Sequence, residues 1–159
     1  MKGIFHCPEC GAETPLYKNP FPTADCLIRL ETDDGEEGLV LIWRKNEPIG
    51  WAIPGGFVDY GERVEDAARR EMQEETGLEL DDLELFSVCS APDRDPRFHT
   101  IATVFTAQGR GELRAGDDAA RATVFPLDAI PPADEIVFDH AETIDRYLTH
   151  RRAKGQERV

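Results

Sequence analysis

"GGFVDYGERVEDAARREMQEETGL" runs from Gly55 to Leu78 and joins a glycine-rich turn to an acidic helix. Pro54-Gly55-Gly56 breaks any regular element before it. From Val64 to Thr76 nothing interrupts a helix, and Gly77 stands where a helical C-terminal stop belongs. At ~100° per residue, Glu74 lies about 60° to one side of Glu71 and Glu75 about 40° to the other. Three carboxylates therefore share one face. Arg69 and Arg70 precede the cluster, but no Lys or Arg follows within a turn to relieve the repulsion. Val64, Ala67, Ala68 and Met72 occupy the opposite face and suit packing on a sheet. Spacing alone leaves two readings open. One is a solvated acidic face. The other is a site for a hard divalent cation, which takes carboxylates plus substrate phosphate. Glu62 adds a further carboxylate at the helix entrance, and the Gly55-Gly56 pair lets the backbone approach a ligand closely.

The chain around this stretch has 159 residues, 40% hydrophobic and 31% charged, enough for one domain with a sizeable core. Its formal net charge of −14 disfavours nucleic acid and anionic membranes as partners. A phosphate-bearing substrate would need metal ions or placed Arg residues to overcome that field, although the acidity also serves plain solubility. The start, Met1-Lys2-Gly3-Ile4-Phe5, lacks a secretory apolar core. No apolar run approaches the ~20 residues of a membrane span. A cytoplasmic location is expected, with the four cysteines reduced or metal-bound.

Strands are expected over Phe21–Glu31, Leu39–Lys45, Leu83–Cys89, Phe98–Ala107 and Ala122–Pro126. A last helix is expected from about Ile136 to Arg152, with Ile144, Tyr147 and Leu148 on its apolar face. The fold class is therefore α/β, a mixed β-sheet covered on both sides by helices. Three parts are distinguished: a Cys-containing segment 1–19, a main domain 20–152 and a tail 153–159.

Gly56, Glu62 and then Arg70-Glu71-Met72-x-Glu74-Glu75-x-Gly77-Leu78 complete a longer pattern. It resembles the Nudix box, G-x5-E-x7-R-E-U-x-E-E-x-G-U with U apolar, at every fixed position. The resemblance implies an α/β/α sandwich and hydrolysis of a nucleoside diphosphate linked to another group. It also implies that Glu71, Glu74 and Glu75, with Gly56 beside them, hold Mg²⁺ or Mn²⁺. Arg70 would orient a Glu, and Glu62 would join directly or through water. Water activated by the metal would attack a pyrophosphate phosphorus. The general base stays open between a Glu of the box and the downstream Asp117 and Asp118, which read equally as a polar turn. Glu112 is a weaker candidate.

"SAPDRDPRFHTIATVF" (Ser90–Phe105) bears on the substrate. Pro92 and Pro96 stiffen a loop that carries Arg94 and Arg97, and Arg suits bidentate phosphate contacts. The same residues could instead pair with Asp93 and Asp95. The stretch resembles a segment of the bacterial and archaeal ADP-ribose pyrophosphatases, which implies AMP and ribose 5-phosphate as products. Hydrolysis of oxidised nucleoside triphosphates is the alternative, and a non-catalytic ADP-ribose sensor is a third reading. Trp51, Trp43, Phe57 or Phe98 could stack on an adenine or belong to the core. A homodimer is implied by the resemblance alone. "CPEC" (Cys7–Cys10) resembles one knuckle of a zinc ribbon. It offers two ligands where structural Zn²⁺ takes four, so His6 or a second subunit would have to complete it. Otherwise the segment merely packs on the domain. Cys26 and Cys89 lie within expected strands and read as buried.

Overall fold

A computed structural model describes residues 2–17, 19–31, 34–116 and 119–156. Two strands, β1 (Lys2–His6) and β2 (Glu13–Tyr17), pair antiparallel in a small sheet of their own. The main sheet contains β3 (Phe21–Glu31), β4 (Glu37–Arg44), β5 (Trp51–Ala52), β6 (Gly55–Phe57), β7 (Glu79–Cys89), β8 (Thr100–Arg110) and β9 (Ala119–Pro126). Helix α1 covers Val64–Thr76 and α2 covers His140–Gln156. The order β5-β4-β3-β8-β7 combines a parallel β3–β8 pair with antiparallel neighbours, so the sheet is mixed.

The centre of β3 is buried on both faces, and its side chains alternate between two cores. Cys26 and Ile28 pack with Ala67, Ala68 and Met72 of α1. Leu27 packs with Ile144 and Tyr147 of α2. That alternation sets the layers α1, sheet, α2, the expected α/β/α sandwich. Cys26 and Cys89 are buried, as expected. No helix among the described residues is long and apolar enough to cross a membrane.

Helix α1 has the expected bounds. Gly77 closes it at φ 70°, a left-handed conformation that glycine adopts without Cβ strain, and donates its N–H to the Gln73 carbonyl. Five elements start elsewhere than expected: β4 at Glu37 rather than Leu39, β7 at Glu79 rather than Leu83, β8 at Thr100 rather than Phe98, β9 at Ala119 rather than Ala122, and α2 at His140 rather than Ile136. Strand β7 begins at Glu79 because its pairing with β8 jumps an irregularity between Asp81 and Glu84, where Asp82 adopts φ 51°. Helix α2 begins at His140 rather than Ile136, since Phe138 at φ 60° cannot continue a helix. Ile136 instead bridges to Trp51.

Strand β6 is the element that builds the site. It is three residues long and pairs with β3, setting Asp25 opposite Gly55 and Ala24 opposite Gly56. The glycine turn is thereby pinned between the central strand and the acidic face of α1.

Candidate active site

Arg70 organises the acidic face. Its Nε and Nη2 donate to the two oxygens of Glu62, each at 3.0 Å. Its Nη1 donates to Glu71 at 2.8 Å and to Glu74 at 3.2 Å. Nη2 also reaches the Phe57 carbonyl at 3.0 Å, which ties α1 to β6. Glu62 is held below the usual carboxylate range by Arg70 and by the Asp59 N–H. Glu71 behaves oppositely, because burial raises its pKa against the pull of Arg70.

Glu75 turns away from Arg70 and is 9% exposed. Its Oε2 accepts the Gly55 N–H at 2.8 Å. Burial pushes its pKa up to about 8, aided by the charges of Glu71 and Asp25. Gly56 leaves no room for a side chain, since a Cβ there would land on the Glu71 carboxylate. A Cβ on Gly55 would strike Asp25. Two glycines thus allow three carboxylates, Asp25, Glu71 and Glu75, to border one cavity of ≈ 390 Å³.

Behind these carboxylates lies a polar network that the motif does not contain. Arg94, its side chain 4% exposed, donates to both oxygens of Asp139 at 3.0 and 2.7 Å and to Thr100 at 2.8 Å. Its Nη2 stands 3.6 Å from Asp25 Oδ2. Burial opposes the Arg94 charge, but Asp139 and Asp25 more than offset this and raise its pKa. His140 Nδ1 accepts the Ile53 N–H at 3.0 Å, so the remaining ring N–H is Nε2, 3.6 Å from the same Asp25 oxygen. Among the described residues, Asp25 Oδ2 and Thr23 Oγ1 are buried without hydrogen-bond partners. Unsatisfied buried polar atoms are rare, and each carries a desolvation cost.

Guanidinium groups also border the cavity. Arg44 and Arg97 stack on the Phe138 ring at 5.0 and 5.5 Å, and Arg97 also lies 5.0 Å from the Phe98 ring. The φ of 60° at Phe138 is uncommon for a bulky residue and aims this ring into the stack. Arg97 pairs with Asp95 at 2.8 Å.

A hard cation suits this donor set. Two of the three carboxylates are raised by burial or by each other, and an acceptor oxygen is left unpartnered. Among the described residues no three His, Cys, Asp or Glu side chains already converge as ligands. Arg70 accounts for this, since its N–H groups occupy Glu62, Glu71 and Glu74.

The model of the NUDIX domain matches residues 20–147. The chain belongs to the Nudix family. It is 43% identical to an ADP-ribose pyrophosphatase of Methanocaldococcus jannaschii over 136 residues, which cover 84% of this chain and 76% of that one. It is 30% identical to an NAD-capped RNA hydrolase, NudC, of Pseudomonas aeruginosa, of which it spans only 52%. A crystal structure of a NUDIX hydrolase from Nitrosomonas europaea superposes with a TM-score of 0.78 at 25% identity, covering 94% of this chain and 81% of that one.

Against this Nudix scaffold the remaining residues fall as follows. Arg94 and Arg97 both border the cavity, Arg94 as a buried strut and Arg97 at the surface. Trp51 does not border it. It is 4% exposed and packs in the core between Trp43 and Phe125. Asp117 and Asp118 lie outside the described residues. Glu112 pairs with Arg114 on the surface. Cys7 and Cys10 share a tight turn, in which hydrogen bonds from the backbone of Cys10 and Glu9 and from the Cys10 thiol lower the Cys7 pKa. His6 stands 4.0 Å from Glu13, and among the described residues no third metal ligand joins the two thiols.

Sequence reasoning missed Asp25, His140, Asp139 and Arg44. Asp25 did carry a signal: a charge inside the apolar run of a central strand is seldom buried without a purpose. Arg44 and Asp139 carried none, because only the fold brings strand β4 and the start of α2 to one cavity.

Proposed function

We propose that the chain is a Mg²⁺- or Mn²⁺-dependent pyrophosphohydrolase that cleaves ADP-ribose to AMP and ribose 5-phosphate. The observation that carries this is one cavity bordered both by the carboxylates of Asp25, Glu71 and Glu75 and by the guanidinium groups of Arg44 and Arg97. A pyrophosphate needs both, cations for its oxygens and Arg to fix its orientation. The Methanocaldococcus relative gives the substrate its support.

Glu71, Glu74 and Glu75 would hold the divalent ion, with the Gly56 backbone beside them. The ion would lower the pKa of a bound water and offset charge on the phosphoryl oxygens. Arg70 keeps Glu71 in place at the cavity edge before loading, while Glu74, which it also holds, lies outside the cavity lining. Glu62 anchors Arg70, and Arg97 binds a phosphate. Arg94 holds the floor through Asp139 and Asp25. The base is a carboxylate of the box or of the 117–118 pair.

A cytoplasmic location goes with this reading, supported by four free thiols. So does a homodimer, supported by the exposed trio Phe21, Phe57 and Phe98, whose ring centroids lie 5.1 to 6.0 Å apart. Zn²⁺ at Cys7 and Cys10 requires two further ligands from a second copy. Metal analysis and sedimentation check both.

The main test is incubation with ADP-ribose and Mg²⁺, with AMP followed by chromatography beside a panel of nucleoside triphosphates. AMP formation that stops on chelation is expected. Pyrophosphate release from a triphosphate, with ADP-ribose untouched, overturns the substrate and leaves the family.

A further inference from the structure

On the α2 side of the sheet, away from the Glu-lined cavity, lies a second and larger one of ≈ 600 Å³. Arg29 of β3 and His150, Arg151 and Lys154 of α2 border it, and Glu84 is the acid at its rim. Phe86 and Tyr147 form an apolar floor, packed edge to face at 5.8 Å.

The charge here runs against the rest of the molecule. The chain has 18 Lys and Arg against 32 Asp and Glu. With acids in such excess, cations are easily neutralised, yet three converge on this cavity. Among the described residues Arg29 donates one long 3.5 Å hydrogen bond, to the Ala107 carbonyl, and no carboxylate pairs with it. Lys154 has no ion pair among the described residues either. Arg151 pairs with Glu37. Burial and the nearby charge of Arg29 both lower the Arg151 pKa. Cations that face one another across a cavity repel, and an anion between them removes that cost.

We propose that this cavity binds a small phosphate-bearing anion, with Arg29 as principal donor and Arg151 and Lys154 around it. A phosphomonoester carries roughly −1.5 to −2 charge at neutral pH, with three acceptor oxygens. An Arg fork suits that geometry, and Lys154 adds a mobile point charge. The volume exceeds what a bare phosphate fills, so a sugar-sized remainder fits over Phe86 and Thr106. The site shares no lining residue with the catalytic cavity.

The test is titration of the full, metal-free chain with inorganic phosphate and with ribose 5-phosphate. Amide shifts and calorimetry are read together. Saturable shifts at Thr106, His150 and Lys154 are expected. Arg29→Gln should raise the dissociation constant about tenfold or more, the scale of one charge-assisted hydrogen bond. Lys154→Gln, at an exposed helix end, should weaken binding by about threefold, within the range of one exposed ionic contact. Its melting temperature should not change, so it decides the matter if Arg29→Gln fails to fold. Shifts confined to Gly55 and Gly56, unchanged affinity in Lys154→Gln, or no saturable binding overturns the proposal.

Discussion

Arg94 is the residue whose role the structure changes most, and replacing it separates two physical accounts. As a substrate contact it would matter to binding and little to folding. As a strut it holds Asp139 through two hydrogen bonds and Thr100 through a third. It also faces Asp25 at 3.6 Å, and its side chain is 4% exposed. Arg94→Ala leaves two acids behind, Asp25 at 8% side-chain exposure and Asp139 at 21%. Removing one partner of a buried ion pair costs about 3–5 kcal/mol, because the remaining charge stays desolvated. For a domain of this size that lowers the melting temperature by roughly 6–20 °C. Arg94→Lys keeps the charge but cannot span both Asp139 oxygens and Thr100, so an intermediate loss is expected. Changing Arg94 and Asp139 together to Met and Asn should recover part of the loss, a coupling that a double-mutant cycle measures directly.

Calorimetric melts, with denaturant titration at fixed pH, give the stability change, and steady-state kinetics on the surviving fold give KM and kcat. The strut account is refuted if Arg94→Ala melts within about 2 °C of the parent, under the 1 kcal/mol scale, while KM rises sharply. That outcome would return Arg94 to the substrate.

Three further expectations concern the cavity walls. Glu75→Gln should cut turnover by orders of magnitude, yet help the metal-free fold at alkaline pH. The Glu75 pKa is about 8 against an ordinary 4.5, so the fold favours the protonated form, and stability falls as pH rises from about 4.5 to about 8. Melts across that range should lose this slope in the variant and regain stability in the parent when Mg²⁺ is added. Gly56→Ala should push the Glu71 carboxylate aside. A displacement near 1 Å costs about 10²-fold in rate, and far-ultraviolet dichroism should show the fold intact. Arg97→Ala removes a surface guanidinium stacked on Phe98 and Phe138. KM should rise about tenfold, as for one charge-assisted contact, with kcat and melting temperature nearly unchanged; an unaltered KM would exclude it from phosphate binding.

What the sequence made legible and what it hid divide along physical lines. Helix α1 was readable to the residue, because its apolar face, acidic face and Gly77 stop are all local properties. Strand β3 was equally readable from its apolar run. Strands β5 and β6 were not, since two or three residues carry no periodicity and exist only by pairing with β4 and β3. The start of α2 was misplaced for a related reason: Phe138 is apolar and fits the helical pattern, but it sits at φ 60°, with its ring in the Arg44–Phe138–Arg97 stack.

The candidate site shows the same division more sharply. Carboxylates along one helix can be counted in the sequence, so Glu71, Glu74 and Glu75 were legible as candidates, and of these Glu71 and Glu75 border the cavity. Asp25 and His140 are 115 positions apart and meet only because α2 packs on one face of the sheet that contains β3. Their meeting explains why the loop arginines do different work. Arg94 is drawn inward to Asp25 and Asp139, whereas Arg97 is left outside, on Asp95 and two rings. Two Arg three residues apart in one loop therefore separate into a positioning residue and a substrate-facing one. The buried charge on β3 decides which is which. An aspartate inside an apolar strand must find a cation, and the nearer guanidinium meets that demand before any phosphate can.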